Sequence, residues 1–507
     1  MQPDPRSRVE RFLHRVEERG NRLPHPATLF AVLAAIVVLV SWFASWIGIS
    51  ARNPITGDTI HVYNLLGVDG LHRMLAGVVP NFTGFAPLGT VLVSLIGIGV
   101  AEHAGLISAT LRRFLYAVPA VYVTPAIVFA GVMSNLATEV GYVVLIPLAG
   151  VVMQGTGRHP IVGMAAAFAG VSGGYAANLL IGSFDPLLAG MSQEAARFVD
   201  PDYTVAASAN WWFMIASTPL VVLLGTWVTH LSVAPRFTHL PDADARDVAA
   251  PPDALERRGL RCALLAFLVL SALVAWGLIP VNGFLREAET GSVADSPFMQ
   301  DIVALIFVYG VVLGLAYGIG ARTLRNDHEV VRGMTQTLST IAGYLVLVFF
   351  AAQFIAFFEW SQLGLVLALN LAAILQWLQP PPILLFLCVV VVTAFSNLFI
   401  GSASAKWALL APVFVPMFML VGYSPESVQA AYRIGDSVTN VISPTMAYFA
   451  LVVAFFQRHD PKAGLGTVVS VMLPYSIAFA IGWTLLLLLW VATGWPFGPG
   501  APLAYPH

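Results

Sequence analysis

Long apolar stretches separated by short polar segments recur along the whole chain. A helix that crosses a bilayer needs about 20 consecutive, mostly apolar residues. Segments of this length alternate with loops rich in arginine, which mark the cytoplasmic side. The pattern predicts an all-α integral membrane protein with nine spans, roughly over residues 27–49, 85–103, 161–188, 209–231, 261–281, 298–320, 334–358, 426–457 and 466–494.

Two further apolar segments, 118–155 and 383–421, carry polar residues at their centres. Basic residues (Arg112 before it, Arg158 after it) flank the first, so both of its ends are predicted to be cytoplasmic. The second must begin and end outside, because the next span returns to basic residues that include Lys462. These segments are predicted to be re-entrant hairpins that enter from opposite sides. If each hairpin were instead two full spans, every loop would still lie on the same side of the membrane.

The polar centres repeat. Ser-Asn-Leu occurs at residues 134–136 and again at 396–398, a separation of 262 residues, and Asn178 and Asn440 have the same separation. Non-helical backbone at membrane depth is tolerated only where protein or a cavity covers it. Paired interruptions in two halves indicate the binding site of a transporter. The chain is therefore predicted to be an inverted repeat.

The charge pattern divides the chain into four parts. Residues 1–26 form a basic amphipathic arm, 27–234 the first half, 235–260 a cytoplasmic linker and 261–507 the second half. The uncharged C-terminal tail falls outside. The prediction is a multi-pass protein of the bacterial inner membrane, with a cytoplasmic N-terminus and a periplasmic C-terminus.

Composition excludes several other classes of protein. Of 507 residues, 58% are hydrophobic and 10% charged, whereas soluble domains carry about 25% charged residues. No basic tract indicates a nucleic-acid partner. The chain has two lysines, Lys406 and Lys462, and neither precedes Ser or Thr as in a nucleotide-binding P-loop. A membrane enzyme would need a metal-binding Asp or His cluster, which the pattern does not offer. The chain is predicted not to be an enzyme.

Several long segments are similar to one known family. They include NFTGFAPLGTVLVSLIGIGVAEHAGLISA, AAAFAGVSGGYAANLLIGSFDPLLAG, IGSASAKWALLAPVFVPM and AAYRIGDSVTNVISP. The chain resembles the AbgT family of p-aminobenzoyl-glutamate and antimetabolite transporters over nearly its whole length. The resemblance implies a homodimer with nine spans and two hairpins, like members of the wider ion-transporter superfamily. It also implies ion-driven movement of p-aminobenzoyl-glutamate-like acids, with sulfonamide efflux in some members.

Arg433 and Asp436 are charged residues within a predicted span, three positions apart and able to share one helix face. Intramembrane charges are costly and usually functional. The planar guanidinium of Arg433 suits a substrate carboxylate, and Asp436 could exchange a proton. Alternatively, the two residues neutralise each other. The resemblance carries a functional Arg and Asp onto these positions.

The second hairpin holds Ser404 and Trp407, where the resemblance implies substrate contact. Trp407 could stack on an aminobenzoyl ring or simply pack within the hairpin. Lys406, between them, could meet a carboxylate or extend towards water, and no family role is carried onto it. Pro425 and Pro444 match family prolines implicated in transport, and physically they interrupt a helix.

Five residues are candidate sodium ligands. Asp185 precedes a proline at the break in the span 161–188, and its carboxylate with freed carbonyls suits a hard cation. The resemblance also places a functional Asp there. Each of the four repeated asparagines offers one side-chain carbonyl oxygen. Capping of helix ends is the alternative role for all five. They are Asn135, Asn178, Asp185, Asn397 and Asn440.

These patterns favour a secondary active transporter, with export as the expected direction, for a small aromatic acid. No cofactor is predicted, and sodium ions are the one candidate ligand besides the substrate. A sodium-coupled dicarboxylate carrier is the alternative, because paired Ser-Asn tips suit it equally. Asparagines favour sodium as the coupling ion, whereas Asp185 and Asp436 allow protons.

Overall fold

The computed structural model describes residues 26–52, 59–136, 141–237, 253–280, 282–287, 291, 296–340, 342–446 and 448–505. Within these ranges the chain is helical apart from one two-stranded antiparallel hairpin, in which Ser50 lies opposite His61.

The first half contains eleven regular elements, in chain order α1 (Pro26–Ile47), β1 (Ser50–Arg52), β2 (Thr59–His61), α2 (Val68–Thr83), α3 (Ala86–Ala104), α4 (Leu106–Ala117), α5 (Val123–Ser134), α6 (Ile146–Gly155), α7 (Pro160–Phe168), α8 (Phe184–Ala196) and α9 (Trp211–Val228). Short 3-10 turns cover Ala120–Tyr122 and Ala234–Arg236, and π-helical turns cover Gly141–Leu145, Ala169–Gly173 and Thr229–Val233.

The regular elements of the second half are all helices where the chain is described, and two isolated β-bridges join Tyr423 to Ala504 and Gly498 to Ala501. Its helices are α10 (Ala254–Leu278), α11 (Pro297–Gln300), α12 (Ile302–Ala321), α13 (Asp327–Thr340), α14 (Ala342–Trp360), α15 (Leu363–Leu378), α16 (Pro382–Asn397), α17 (Ala403–Met419), α18 (Pro425–Asn440), α19 (Phe449–Gln457) and α20 (Leu465–Thr493).

Seven helical stretches of the described chain are long and apolar enough to cross a bilayer: Ala27–Ile47, Val68–Ala104, Trp211–Arg236, Ala254–Leu278, Ile302–Ala321, Ala342–Trp360 and Leu465–Thr493. Each overlaps one predicted span. On α10, Leu264, Leu265 and Leu268 are each more than half exposed. Such apolar exposure is expected where a helix faces lipid, which is as apolar as leucine itself.

Two boundaries differ from the prediction. The segment predicted as the loop 50–75 holds the β-hairpin and the start of α2 at Val68. Helix α10 begins at Ala254, inside the predicted linker 235–260, because Asp253 and Glu256 form a capping box that satisfies the first free amides. The residues from 238 to 252 lie outside the described part of the chain.

The two predicted hairpins are each built from a pair of short helices. Helix α5 has 12 residues and α6 has 10, while α16 has 16 and α17 has 17. All four fall short of the roughly 20 residues that a span needs. Residues 137–140, which follow the polar centre 134–136, lie outside the described chain.

Two of the predicted spans are broken where the sequence indicated. A π-helical turn and the non-helical residues 174–183 separate α7 from α8, and residues 441–448 separate α18 from α19. The first break lies against α18, which leads into the second break, since the Ala176 amide donates to Ser437 Oγ at 3.1 Å. A β-carbon added at Gly435 would come 2.4 Å from the Val390 carbonyl oxygen, so α18 packs closely on α16. The polar helix α18 therefore lies where both breaks and the second hairpin meet.

Candidate functional site

Helix α18 is the most polar buried element of the described structure. Every residue from 425 to 438 is buried, including Glu426, Arg433 and Asp436. Ser424 caps the helix by accepting the Ser427 amide, and Pro425 at the first helical position needs no amide partner. A polar helix without a water-exposed face must satisfy its side chains through neighbouring elements. The contacts of α18 therefore define the candidate site.

Arg433 forms an ion pair with the other half of the chain. Its Nη2 lies 2.7 Å from Asp185 Oδ1, and the side chains are 2% and 5% exposed. Asp185 belongs to the first turn of α8, where its Oδ2 also accepts the Gly182 amide at 2.7 Å. One carboxylate thus caps the backbone freed by the break and neutralises the guanidinium. The contact with Gly182 is the capping predicted as the alternative role of Asp185, and ligation of sodium by this residue stays a prediction.

Asp436 pairs with Lys406 of the second hairpin. Lys406 Nζ lies 2.5 Å from Asp436 Oδ1, with side-chain exposures of 0% and 1%. The same ammonium donates to Asn397 Oδ1 at the end of α16. Asn397 Nδ2 turns towards α18 and donates to the Asp436 carbonyl oxygen and to Asn440 Oδ1, each at 2.8 Å. The second hairpin tip is therefore bound to α18 by a charged hydrogen-bond network.

These contacts differ from the alternative considered for Arg433 and Asp436, in which the two residues neutralise each other. No ion pair joins the two within the described chain; each binds a partner from a different helix. The physical reason is that α18 is surrounded on all sides, so a counter-charge reaches each side chain from a neighbouring element. The site holds two buried pairs, each with zero net charge.

Trp407 is fully buried and makes two specific contacts. Its ring lies 4.4 Å from the Tyr432 ring, with 33° between the planes. Its Nε1 donates to Ser192 Oγ at 3.0 Å, and Ser192 Oγ in turn donates to Gln429 Oε1 at 2.6 Å. Ser404 is half-buried, and its Oγ lies 3.3 Å from Ser402 Oγ. In this conformation Trp407 packs within the protein, the alternative to ring stacking on a substrate.

The structure gathers some of the predicted residues and separates others. Asp436, Asn397 and Asn440 lie in one network with Lys406, whereas Arg433 and Asp185 form a separate ion pair. Asn178 Oδ1 instead accepts the Leu180 amide at 3.2 Å, a local turn contact.

Asn135, at the first hairpin, has a buried side-chain nitrogen without a hydrogen-bond partner in the described structure. Pro425 lies eight residues before Arg433 on α18, about 12 Å along the helix axis. Pro444 is half-buried within the break between α18 and α19. Neither proline takes part in the charged network.

Sequence reasoning missed several residues of the site. For Lys406 the sequence indicated contact with a carboxylate or extension towards water, but not the ion pair with Asp436. It indicated no role for Ser192 or Gln429. A signal existed for two of them: Lys406 is one of only two lysines and lies in an apolar segment, and Gln429 precedes Arg433 by one helical turn. Ser192 lies on α8, and nothing in its local sequence connects it with Trp407.

Comparison with known proteins agrees with this architecture. Residues 11–505 match the model of the AbgT putative transporter family. The chain belongs to the AbgT family. A curated relative, the p-aminobenzoyl-glutamate transport protein of Escherichia coli strain K12, is 38% identical over 485 residues, which cover 96% of this chain and 95% of that protein.

Two solved structures superpose closely on the chain. The YdaH transporter of Alcanivorax borkumensis has a TM-score of 0.91 and 46% identity, and the match covers 94% of this chain and 100% of that one. MtrF of Neisseria gonorrhoeae, described within a class of antimetabolite efflux pumps, has a TM-score of 0.91, 47% identity and coverages of 98% and 99%. The chain is therefore a multi-pass membrane transporter and not an enzyme.

Proposed function

We propose that this AbgT member is a secondary active transporter that exports p-aminobenzoyl-glutamate-like aromatic carboxylates and sulfonamide antimetabolites. A proton or sodium gradient supplies the energy. The observation that carries the proposal is the buried Arg433 at the meeting point of the two broken spans, because a planar guanidinium binds a carboxylate in a defined orientation. The functions of the relatives in Escherichia coli and Neisseria gonorrhoeae support the substrate class.

Arg433 has binding capacity that Asp185 does not use. A guanidinium carries five N–H donors. One of its terminal nitrogens meets Asp185, the other faces Met214 Sδ at 3.5 Å, and Nε is buried without a partner. A substrate carboxylate that reaches Arg433 competes with Asp185 and completes these bonds. Movement of α8 against α18 then frees Asp185, which links substrate binding to a change at the break.

Trp407 and Ser404 are the proposed contacts for the aromatic part of the substrate. Trp407 belongs to the second hairpin, and the hydroxyl of Ser192 positions its indole ring. Withdrawal of the hairpin from α18 exposes the ring face now covered by Tyr432. Pro425 and Pro444 mark the ends of α18 and allow its two ends to move relative to neighbouring segments.

The proposed topology has nine spans and two re-entrant hairpins, 118–155 and 383–421, in two inverted halves. The seven long helices together with the two broken spans support the count of nine. The halves are 27–234 and 261–507, joined by the cytoplasmic linker 235–260 after the arm 1–26. The protein is proposed to be a homodimer of the bacterial inner membrane, with the N-terminus cytoplasmic and the C-terminus periplasmic.

Transport in proteoliposomes tests the proposal. Radiolabelled p-aminobenzoyl-glutamate is supplied with a proton gradient, a sodium gradient or no gradient, and accumulation is followed for the wild type and for Arg433→Lys. We expect accumulation against the substrate gradient with one imposed ion gradient. Arg433→Lys should lose most of this accumulation, because an ammonium cannot reproduce the planar pair of N–H donors that a guanidinium offers to a carboxylate. Equal flux without any gradient, and no accumulation, would refute coupling.

Substrate class is tested by competition in the same vesicles. Excess p-aminobenzoate or a sulfonamide should inhibit flux, whereas succinate and citrate should not. Inhibition by succinate or citrate alone would instead favour the dicarboxylate carrier. Arg197→Lys is the matched control, because Arg197 is partly exposed and pairs locally with Glu194; its flux should equal that of the wild type.

A further inference from the structure

We propose that Lys406 is a tethered competitor of the coupling cation: its ammonium holds the oxygens of Asn397 and Asp436, and a free monovalent cation binds there only by displacing it. The second half of the transporter thus carries a built-in cation that sets how strongly the external ion binds. The inference rests on the proposed function for the existence of a coupling ion, but it concerns binding and can be tested without transport.

The ligands around the ammonium are those of a hard-cation site. Lys406 Nζ meets a carboxylate oxygen of Asp436 and the side-chain carbonyl oxygen of Asn397. Carboxylate and amide carbonyl oxygens are the donors that hard cations prefer. The orientation of Asn397 is set by its other contacts, since Nδ2 faces three acceptors on α18, including Asn440 Oδ1. Asn397 therefore presents its oxygen towards the position of the positive charge.

The site retains unused capacity for a cation. Asp436 is 1% exposed, and its Oδ2 is buried without a hydrogen-bond partner in the described structure. A buried charged oxygen without a partner is costly. The ammonium contacts only Oδ1 of Asp436 and leaves Oδ2 without a partner. A small cation placed between the two carboxylate oxygens and Asn397 Oδ1 would bind Oδ2 as well.

The repeat shows that the lysine is specific to one half. The 262-residue separation relates Asn397 to Asn135, but it relates Lys406 to Val144 and Asp436 to Gly174. The first half therefore has the asparagine without the ion pair. Its hairpin carries no internal cation at this position, whereas the second hairpin does. The two halves are thus expected to differ in their affinity for a free cation.

The lysine also lies in the moving part of the proposed cycle. It belongs to α17, and its partner Asp436 belongs to α18. Displacement of the ammonium removes the strongest bond between the hairpin and the broken span. Cation binding would in this way release the hairpin that carries Trp407, and loss of the cation would return Lys406 and close the contact.

Equilibrium binding of ²²Na⁺ to the purified full-length protein tests the inference. Lys406→Met keeps the apolar stem but removes the ammonium, so we expect the Kd for sodium to fall at least tenfold from the wild-type value. The double variant K406M/D436N removes the carboxylate as well and should lose this gain. The control is Lys462→Met at the only other lysine, in the loop before α20, which should keep the wild-type Kd.

An unchanged or higher Kd in Lys406→Met would overturn the inference. If Lys406→Met folds in a sodium salt but not in a choline salt, the free cation replaces the ammonium as proposed. If it folds in neither salt while K406M/D436N folds, sodium cannot replace the lysine and the inference fails.

A measurement on the wild type does not depend on variant folding. Reductive methylation by formaldehyde, with the sodium-free hydride donor dimethylamine–borane, should modify Lys406 several-fold faster in sodium than in choline, with Lys462 as the internal reference. Equal rates in both salts would contradict displacement. If the sodium affinities change as expected but the protein shows no ion-coupled transport, the result would count against the proposed function alone.

Discussion

The ion pair between Asp185 and Arg433 joins the two halves of the transporter, and a double-mutant cycle measures its strength. The perturbations are Asp185→Asn, Arg433→Met and the combined variant. Asparagine keeps an oxygen that can accept the Gly182 amide, so the single change removes mainly the charge. Methionine fills much of the volume of the arginine stem without its donors.

The magnitude follows from distance and burial. At 2.7 Å, and with an effective dielectric constant of about 20, the attraction between the charges is about 6 kcal/mol before desolvation is counted. Removal of one partner leaves the other charge buried, which costs about 3–5 kcal/mol. Removal of both avoids that penalty and should cost no more than about 2 kcal/mol. The sum of the two single costs minus the cost of the double change gives a coupling energy of about 4 kcal/mol or more.

Reversible unfolding in mixed micelles, followed by circular dichroism, gives the free energy of unfolding of all four proteins. The reference cycle uses Glu194 and Arg197, whose side chains lie 3.4 Å apart and are 20% and 39% exposed. An exposed pair should show a coupling of about 1 kcal/mol or less. If the buried pair couples no more strongly than this surface pair, the argument that burial makes Asp185 and Arg433 interdependent is refuted.

Two further changes test packing and capping. Gly435→Ala places a methyl group 2.4 Å from the Val390 carbonyl oxygen. The change should lower the free energy of unfolding by about 1–3 kcal/mol and abolish most transport. Gly343→Ala, which has open space around it, should leave both quantities unchanged in the same unfolding and flux assays. Burial lowers the pKa of His159 below 6.5, and its Nδ1 accepts the Ile161 amide, so the unfolded chain binds the proton more readily and stability should fall as pH drops below about 6.5. His159→Asn should remove this dependence in thermal unfolding from pH 5 to 8, and an unchanged pH profile would exclude His159 as its source.

Some features of the site could be predicted because they depend on local sequence. Polar residues inside apolar segments predicted two broken spans, and the structure has interruptions at residues 174–183 and 441–448. The same signal predicted the two hairpins, each of which corresponds to a pair of short helices. Charged residues at membrane depth identified Arg433, Asp436 and Asp185 as candidates. Each of these inferences rests on the free-energy cost of placing a polar group in hydrocarbon, and that cost can be judged from a short stretch of sequence alone.

The partners of these residues could not be predicted in the same way. Arg433 and Asp436 are close in sequence, yet Arg433 binds a residue 248 positions away and Asp436 binds Lys406. Trp407 depends on Ser192, which is 215 positions away. Which side chains meet is decided by how α8, α17 and α18 cross, and helix periodicity alone does not specify a crossing.

The sequence by itself determined the membrane class and the two interruptions near Asn178 and Asn440, because bilayer thickness and the cost of unpaired backbone act locally along the chain. The similarity of its motifs indicated the family, which the comparisons confirmed. Only the tertiary structure decided how four buried charges are shared between two ion pairs, because a buried charge is stabilised by the counter-charge that the folded chain brings within contact distance.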